Sequence, residues 1–161
     1  MLFRSCKRFT NLPQLVLGAA FSWGIPMAFT AQTGDLPTIA WAIFAINLLW
    51  TVMYDTIYAM VDRDDDIRIG VKSTAILLGS YDRIAVGILQ AAVIGGLLLV
   101  GSAIGMLLWF YVGIGVTAGL FLYQQWLIRD RDRDACFHAF LNNNWVGAAV
   151  FAGIVAQYII R

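Results

Sequence analysis

Residues 84–128 read IAVGILQAAVIGGLLLVGSAIGMLLWFYVGIGVTAGLFLYQQWLI, forty-five positions without one Asp, Glu, Lys or Arg. A hydrocarbon core about 30 Å thick is crossed by about 20 residues of α-helix. The run therefore has room for two crossings, and Gly101-Ser102-Ala103-Ile104-Gly105 supplies turn residues between them. Outward in both directions the pattern recurs. From Phe9 to Tyr54 the only charge is Asp35, inside the break Gln32-Thr33-Gly34-Asp35-Leu36-Pro37 with its helix-starting proline. From Ala135 to Ile160 there is no charge. Predicted spans lie near 13–31, 37–54, 84–101, 106–127 and 142–160. The expected fold class is all-α: a polytopic membrane helix bundle of about five transmembrane helices, with residues 1–161 as a single membrane-embedded domain. Composition agrees, since 60% of the 161 residues are apolar, 13% are charged and the mean hydropathy is +0.74; a soluble domain is about one quarter charged. Soluble globular, nucleic-acid-binding and disulfide-rich secreted classes are excluded. The expected surroundings are a lipid bilayer, with no nucleic acid.

Five spans put the termini on opposite faces, so each polar segment can be assigned a side. The N-terminal Arg4, Lys7 and Arg8, the loop with Arg63, Arg68, Lys72 and Arg83, and the loop with Arg129, Arg131 and Arg133 share one face, ten basic residues against Arg161 alone. By the positive-inside rule that face is cytoplasmic. Nine of the ten aspartates also lie there, Asp35 being the exception. The rule gives no reason for that, so chemistry is expected at this face. The apolar run Leu12 to Ala31 exceeds a signal-peptide core, carries Pro13 and Pro26 and ends without a small-x-small cleavage site, and so reads as a retained span. Cys6 and Cys136 have neither CxxC spacing nor a metal-ligand neighbour and read as reduced, inert thiols.

The chemically informative segment is Tyr54-Asp55-Thr56-Ile57-Tyr58-Ala59-Met60-Val61-Asp62-Arg63-Asp64-Asp65-Asp66, followed by Ile67-Arg68-Ile69-Gly70-Val71-Lys72-Ser73-Thr74. If the helix of the second span continues through it, Asp62 and Asp66 are one turn apart on one face. Asp55 then lies two turns below Asp62, within about 20° of the same stripe. Clustered aspartates repel one another, and an unpaired charge at membrane depth costs about 3 kcal/mol or more. A divalent cation at the interface relieves both costs. All-oxygen ligands without His or Cys suit Mg²⁺, which takes one or two carboxylates and completes its shell with water and substrate phosphate. Arg68 and Lys72 follow closely enough to hold the same phosphates. The segment reads as a metal-diphosphate site, the alternative being a solvated acidic loop paired with its own arginines. Asp55, inside an apolar span, is what solvation leaves unexplained. A calcium loop starting at Asp62 is excluded, because Ile67 stands where glycine is needed and Ser73 where glutamate is needed. The Asp-Gly and Ala-Arg pairs of the CDP-alcohol phosphotransferases are absent as well.

Beyond the residue-level reading, the pattern Tyr54-Asp55-x-x-Tyr58-Ala59-Met60-x-Asp62-Arg63-Asp64-Asp65-Asp66 with Gly70-x-Lys72-Ser73-Thr74-Ala75 resembles the second aspartate-rich motif of the UbiA superfamily of intramembrane prenyltransferases. Lys7-Arg8-Phe9-Thr10-x-Leu12-Pro13-Gln14, Trp23-Gly24-Ile25-Pro26-Met27-Ala28-Phe29, Tyr123-Gln124-Gln125 and Asn142-Asn143-Asn144-x-Val146-Gly147 are most similar to its 4-hydroxybenzoate-prenylating branch. The resemblance implies Mg²⁺-dependent transfer of a polyprenyl group from polyprenyl diphosphate to the ring of 4-hydroxybenzoate, in ubiquinone synthesis, at the cytoplasmic face of a bacterial inner membrane. It implies Asp62 and Asp66 as Mg²⁺-diphosphate ligands and Asp55 as a supporting or ring-proton-accepting group. Lys72 is then a diphosphate ligand with Arg68 beside it, and Arg8 a substrate-binding cation or a positive-inside anchor. Tyr58, Tyr54 or Trp50 would face the allylic cation. The family also has about nine helices and a first motif, Asn-Asp-x-x-Asp, that this sequence lacks. The chain therefore reads as the C-terminal half of such a fold, with residues 1–6 resembling a non-native start and a missing N-terminal half as a partner. The alternative is a noncatalytic membrane subunit or scaffold of the same descent.

The remaining features read as structure. Arg129-Asp130-Arg131-Asp132-Arg133-Asp134 alternates in sign with i,i+3 pairs, as a solvated loop or helix end does. His138 reads as structural. Asn142 to Asn144 read as a cap opening the last span, with substrate contact as the alternative, and Trp41 and Trp109 fit an interfacial belt.

Overall fold

The computed structural model describes residues 13–70 and 72–160. The predicted substrate cation Arg8 lies outside them, as do Arg4, Cys6, Lys7 and Arg161. Among the described residues all regular structure is helical. Helices α1 (Pro13–Ser22) and α2 (Gly24–Thr33) are followed by α3 (Thr38–Val61), α4 (Arg63–Ile69) and α5 (Thr74–Leu78). After a 3₁₀ turn, Gly79–Tyr81, come α6 (Asp82–Ala103) and α7 (Leu108–Leu127), and after a second, Ile128–Asp130, comes α8 (Arg133–Ile159).

Several boundaries depart from expectation, each for a local reason. The first predicted span is interrupted at Trp23, because Pro26 has no N–H to return to the carbonyl of Ser22. The second runs seven residues past the expected 54, to Val61, because Thr56, Ile57, Ala59 and Met60 bury one face of its last two turns against the bundle. The last begins at Arg133, where the Asp132 side chain accepts from the Ala135 N–H at 3.0 Å. Asp132 is the cap, and Asn142 to Asn144 sit well inside α8.

Among the described residues four segments are long and apolar enough to cross a membrane: Gln14–Thr33, Thr38–Val61, Thr74–Ala103 and Arg133–Ile159. The uncharged, 20-residue α7 has the length of a crossing, about 30 Å. Its polar residues Gln124 and Gln125 face protein. Gln90 on α6 donates to Gln124 at 3.0 Å, Gln124 donates to Asn142 on α8 at 3.1 Å, and Gln125 donates to Gln90 at 3.0 Å. Interhelical bonds of this kind contribute about 0.6–1.7 kcal/mol each in a bilayer.

Partner positions run in opposite directions along each neighbouring pair, so the long helices alternate up and down. On α1 and α3, Asn47 donates to Ser22 while a Cβ at Gly18 would meet Leu48 and Thr51. On α7 and α8, Gln124 faces Asn142 near one end, Gly113 faces Gly153 further along, and Gln157 accepts from the Leu107 N–H at the other end. The left-handed turns at Gly34 (φ 68) and Gly105 (φ 69) thus share one end of the bundle, where Trp23, Trp41 and Phe44 form an edge-to-face cluster. Segments 62–82 and 128–133 meet at the other, charged end. The core between them is Met53, Ile57, Val86, Val93, Phe121 and Val146 with their neighbours.

Candidate active site at the charged end

Helix α3 carries most of the site. Trp50, Tyr54 and Tyr58 follow one another at four-residue spacing on one side of it, and Asp62 follows at the same spacing. Asp62 is the hinge residue: its φ of −92° and ψ of 2° end α3, yet the Asp66 N–H still donates to its carbonyl at 2.8 Å. The expected one-turn offset of Asp62 and Asp66 survives the break between α3 and α4. Asp66 is buried, at 6% exposure, and Asp55 and Asp62 are partly buried. The Tyr58 hydroxyl lies in the field of all three carboxylates, Asp62 most strongly. Asp55, Tyr58, Asp62 and Asp66 are therefore brought together.

Below the carboxylates lies a cavity of about 430 Å³ between α3 and α8, lined by Trp50, Tyr54, Phe140, Asn143, Asn144 and Gly147. Phe140 stacks obliquely on Tyr58 and Tyr54, with ring centroids 5.0 and 6.1 Å apart. The Trp50 indole N–H donates to Asn143 Oδ1 at 3.2 Å, and the Asn143 amide donates to the carbonyls of Ala139 and Phe140. A Cβ at Gly147 would stand 3.2 Å from the Trp50 ring, so the missing side chain lets the indole lie against α8. Asn142, Asn143 and Asn144, expected to cap a helix, instead tie α8 to α7, orient Trp50 and line the cavity. Phe140 carries no sequence signal; only the fold brings it to α3.

The basic residues divide. Arg68 is exposed, with its guanidinium 4.0 Å from Asp65, and Lys72 is exposed beyond the end of α4. Neither forms a hydrogen bond or ion pair with Asp62 or Asp66. Thr74, in the same motif as Lys72, shares a buried hydroxyl contact of 3.1 Å with Thr56 of α3, the neighbour of Asp55. The alternating run 129–134 is not simply a solvated face. Arg129 does pair with Asp130 and lies over the Trp126 ring. Arg131 instead reaches 49 residues back to Asp82, at 2.7 Å, and Arg133 reaches Asp65 at 3.3 Å. Asp82 is fully buried, and hydrogen bonding to it raises the Arg131 guanidinium above its ordinary pKa. Sequence reading missed this partnership, because nothing local marks Asp82 as the partner of Arg131. His138 is exposed and takes no part, and Cys136 is buried and free.

Among the described residues no three acidic, histidine or cysteine side chains form a preassembled metal cage. Mg²⁺ needs only one or two carboxylates when phosphate oxygens and water fill its other positions. The buried Asp66 and partly buried Asp62, one turn apart, are a donor set of that kind.

A polytopic membrane helix bundle with carboxylates above an aromatic cleft is the class that fold and site define. The UbiA prenyltransferase family matches residues 4–155, and the chain belongs to that family. It is 58% identical over 155 residues to a 4-hydroxybenzoate octaprenyltransferase of Pseudomonas savastanoi pv. phaseolicola, covering 96% of this chain and 52% of that protein. It is 56% identical over 154 residues to proteins of the same name from Aeromonas salmonicida and Aliivibrio fischeri, covering 53% and 54% of them. The chain thus spans about half the length of these relatives. The apo structure of a UbiA homolog from Aeropyrum pernix K1 shares the fold, with a TM-score of 0.79 at 25% identity, over 97% of this chain and 59% of that one.

Proposed function

We propose that this chain supplies the second aspartate-rich half of a prenyltransferase centre that joins a polyprenyl group from polyprenyl diphosphate to 4-hydroxybenzoate in ubiquinone synthesis. The single observation that carries the reading is the run Trp50, Tyr54, Tyr58 and Asp62 along one side of α3, with the buried Asp66 one turn further on and the cavity walled by Trp50, Tyr54 and Phe140 beside it. In the reaction the allylic C–O bond to diphosphate breaks, a C–C bond forms at the ring carbon ortho to the hydroxyl, and that carbon loses its proton. Asp62 and Asp66 are the carboxylates that would hold Mg²⁺. When bound, the ion neutralises charge on the departing diphosphate.

The chain's own residues have distinct tasks in this reading. Lys72 and Arg68, and Arg8 from outside the described residues, bind diphosphate oxygens or the benzoate carboxylate. The aromatic faces of Tyr58, Tyr54 and Trp50 stabilise the allylic cation by about 0.5–2 kcal/mol each. The apolar cleft keeps water from trapping it. Asp55, deeper than the other two, accepts the ring proton. The charged end faces the cytoplasm of a bacterial inner membrane, in keeping with the basic bias of its loops.

Membranes carrying this chain, Mg²⁺, a polyprenyl diphosphate and labelled 4-hydroxybenzoate are expected to yield prenylated product only when an N-terminal half bearing Asn-Asp-x-x-Asp is co-expressed. Robust turnover by the chain alone would overturn the complementation reading. Complemented activity indifferent to Asp62→Ala and Asp66→Ala would favour a scaffold.

A further inference from the structure

Asp82 is the most completely enclosed carboxylate at the charged end, at 0% exposure, and it stands outside the aspartate-rich motif. Two arginines from different parts of the chain close on it. Arg131 donates through Nε to both carboxylate oxygens, at 3.0 and 3.1 Å, and through Nη2 to Oδ1 at 2.7 Å. Arg63 donates to Oδ2 at 3.2 Å, and the Arg83 N–H donates to Oδ1 at 2.6 Å. The same guanidinium groups also hold the turn before α6, Arg131 on the Ser80 carbonyl at 2.8 Å and Arg63 on the Gly79 carbonyl at 3.3 Å. Arg131 makes these bonds from a left-handed backbone, φ 56°, the one such conformation among the described non-glycine residues. That conformation is unfavourable for a side chain with a Cβ and persists only when the surroundings over-determine it. Arg133 adds a bridge to Asp65 of α4 at 3.3 Å.

Bulk stabilisation is a poor account of this cluster, because well-packed apolar residues would stabilise such a site as well as buried ions do. What the ion pairs add is direction. Arg63 is the residue after Asp62 and the first of α4, so its bonds fix the point at which α3 hands over to α4. One turn later α4 carries Asp66. The one-turn offset of Asp62 and Asp66 is local, but the clasp sets the direction in which α4 leaves α3, and it does so from two elements, α6 and the 128–133 segment, that lie outside the aspartate-rich motif.

We infer that Asp82, held by Arg63 and Arg131, is a positioning residue that keeps α4 registered on α3, so that Asp62 and Asp66 are presented together to a metal diphosphate. This rests on the function proposed above.

The test uses the full chain, co-expressed with the N-terminal half, in lipid nanodiscs, with Cys6→Ser and spin labels at Ile69→Cys on α4 and Leu122→Cys on α7, both exposed. Two quantities are read: the label-to-label distance distribution, and Mg²⁺-dependent binding of farnesyl diphosphate. Arg131→Ala is expected to broaden the distances and weaken binding at least tenfold, and Arg131→Lys to recover part of both. Asp62→Asn should weaken binding while leaving the distances sharp. Should Arg131→Ala fail to yield monodisperse protein, Arg63→Ala, which removes the 3.2 Å arm and the bond to the Gly79 carbonyl but leaves Arg131 in place, carries the same two readouts. Sharp distances in the clasp variants overturn the inference, and so do broadened distances with unchanged binding. No binding by the unsubstituted chain together with the N-terminal half overturns the proposed function and the positioning role with it; the distances then still report whether the clasp orders α4.

Discussion

The crossing of α7 on α8 gives a prediction that depends on no assumption about chemistry. A Cβ added at Gly113 would stand 2.8 Å from the Ala149 carbonyl oxygen and 3.1 Å from the Gly153 Cα, both backbone atoms that no rotamer change can move. Relief requires the two helices to separate by about half an ångström, which forfeits a quarter to a half of the dispersion energy of each contact along the seam. Overpacking of this kind costs about 1–3 kcal/mol. Replacing a helical glycine by alanine returns at most about 0.5–1 kcal/mol. Gly113→Ala should therefore shift the unfolding equilibrium by about 1–2 kcal/mol, roughly five- to thirtyfold. The control lies on the same helix: at Gly115 and Gly119 a Cβ meets nothing within 4 Å, so Gly115→Ala should be neutral or slightly stabilising. Titration of the chain from mild-detergent into SDS-containing mixed micelles, followed by far-UV circular dichroism, measures both variants. Superimposable midpoints for Gly113→Ala and Gly115→Ala would refute the close backbone approach.

Three further outcomes are expected. Gln124→Leu removes one bond to Gln90 and one to Asn142 and should cost about 1–2 kcal/mol in the same titration; the double variant with Gln90→Leu should cost less than the sum of the two singles. In the complemented enzyme, Asp62→Asn and Asp66→Asn should each lower the maximal prenyl-transfer rate about a hundredfold or more with helical content unchanged, measured by product formation and circular dichroism. Lys72→Ala should raise the half-saturating diphosphate concentration roughly tenfold, as loss of one charge-assisted contact does, and leave that for 4-hydroxybenzoate nearly unaltered in steady-state kinetics.

Much of this molecule was legible in its charge pattern. The uncharged run 84–128 and its flanking stretches announce a helical membrane bundle, and the turns at Gly34 and Gly105 fall where the small and polar residues interrupt it. Asp62 and Asp66 could be paired from spacing alone, since both lie near one helix end and a four-residue offset is a local quantity. What escaped is what depends on partners remote in sequence. The run 129–134 has good local pairs at i,i+3, so nothing in it reveals that Arg131 belongs to Asp82, 49 positions away. Asn142 to Asn144 look like a cap while the helix is thought to begin at them, and they change meaning once Asp132 takes the cap nine residues earlier than the first expected span residue would allow. Phe140 joins the aromatic wall only because α8 lies antiparallel to α3.

The amide chain from Gln90 through Gln124 to Asn142 bears on how the protein is made. A helix leaving the translocon with Gln124 and Gln125 exposed to acyl chains pays for two unsatisfied amides, which the neighbouring Leu120, Phe121, Leu122, Leu127 and Ile128 offset only in part. Synthesis proceeds from α6 to α8, so Gln90 already resides in the bilayer when α7 emerges and can receive it. Asn142 arrives last and closes the chain of bonds. On this view α7 enters the lipid as the second arm of a hairpin with α6, and lateral release is a joint event of neighbouring helices in which the order of translation supplies each polar group with its partner.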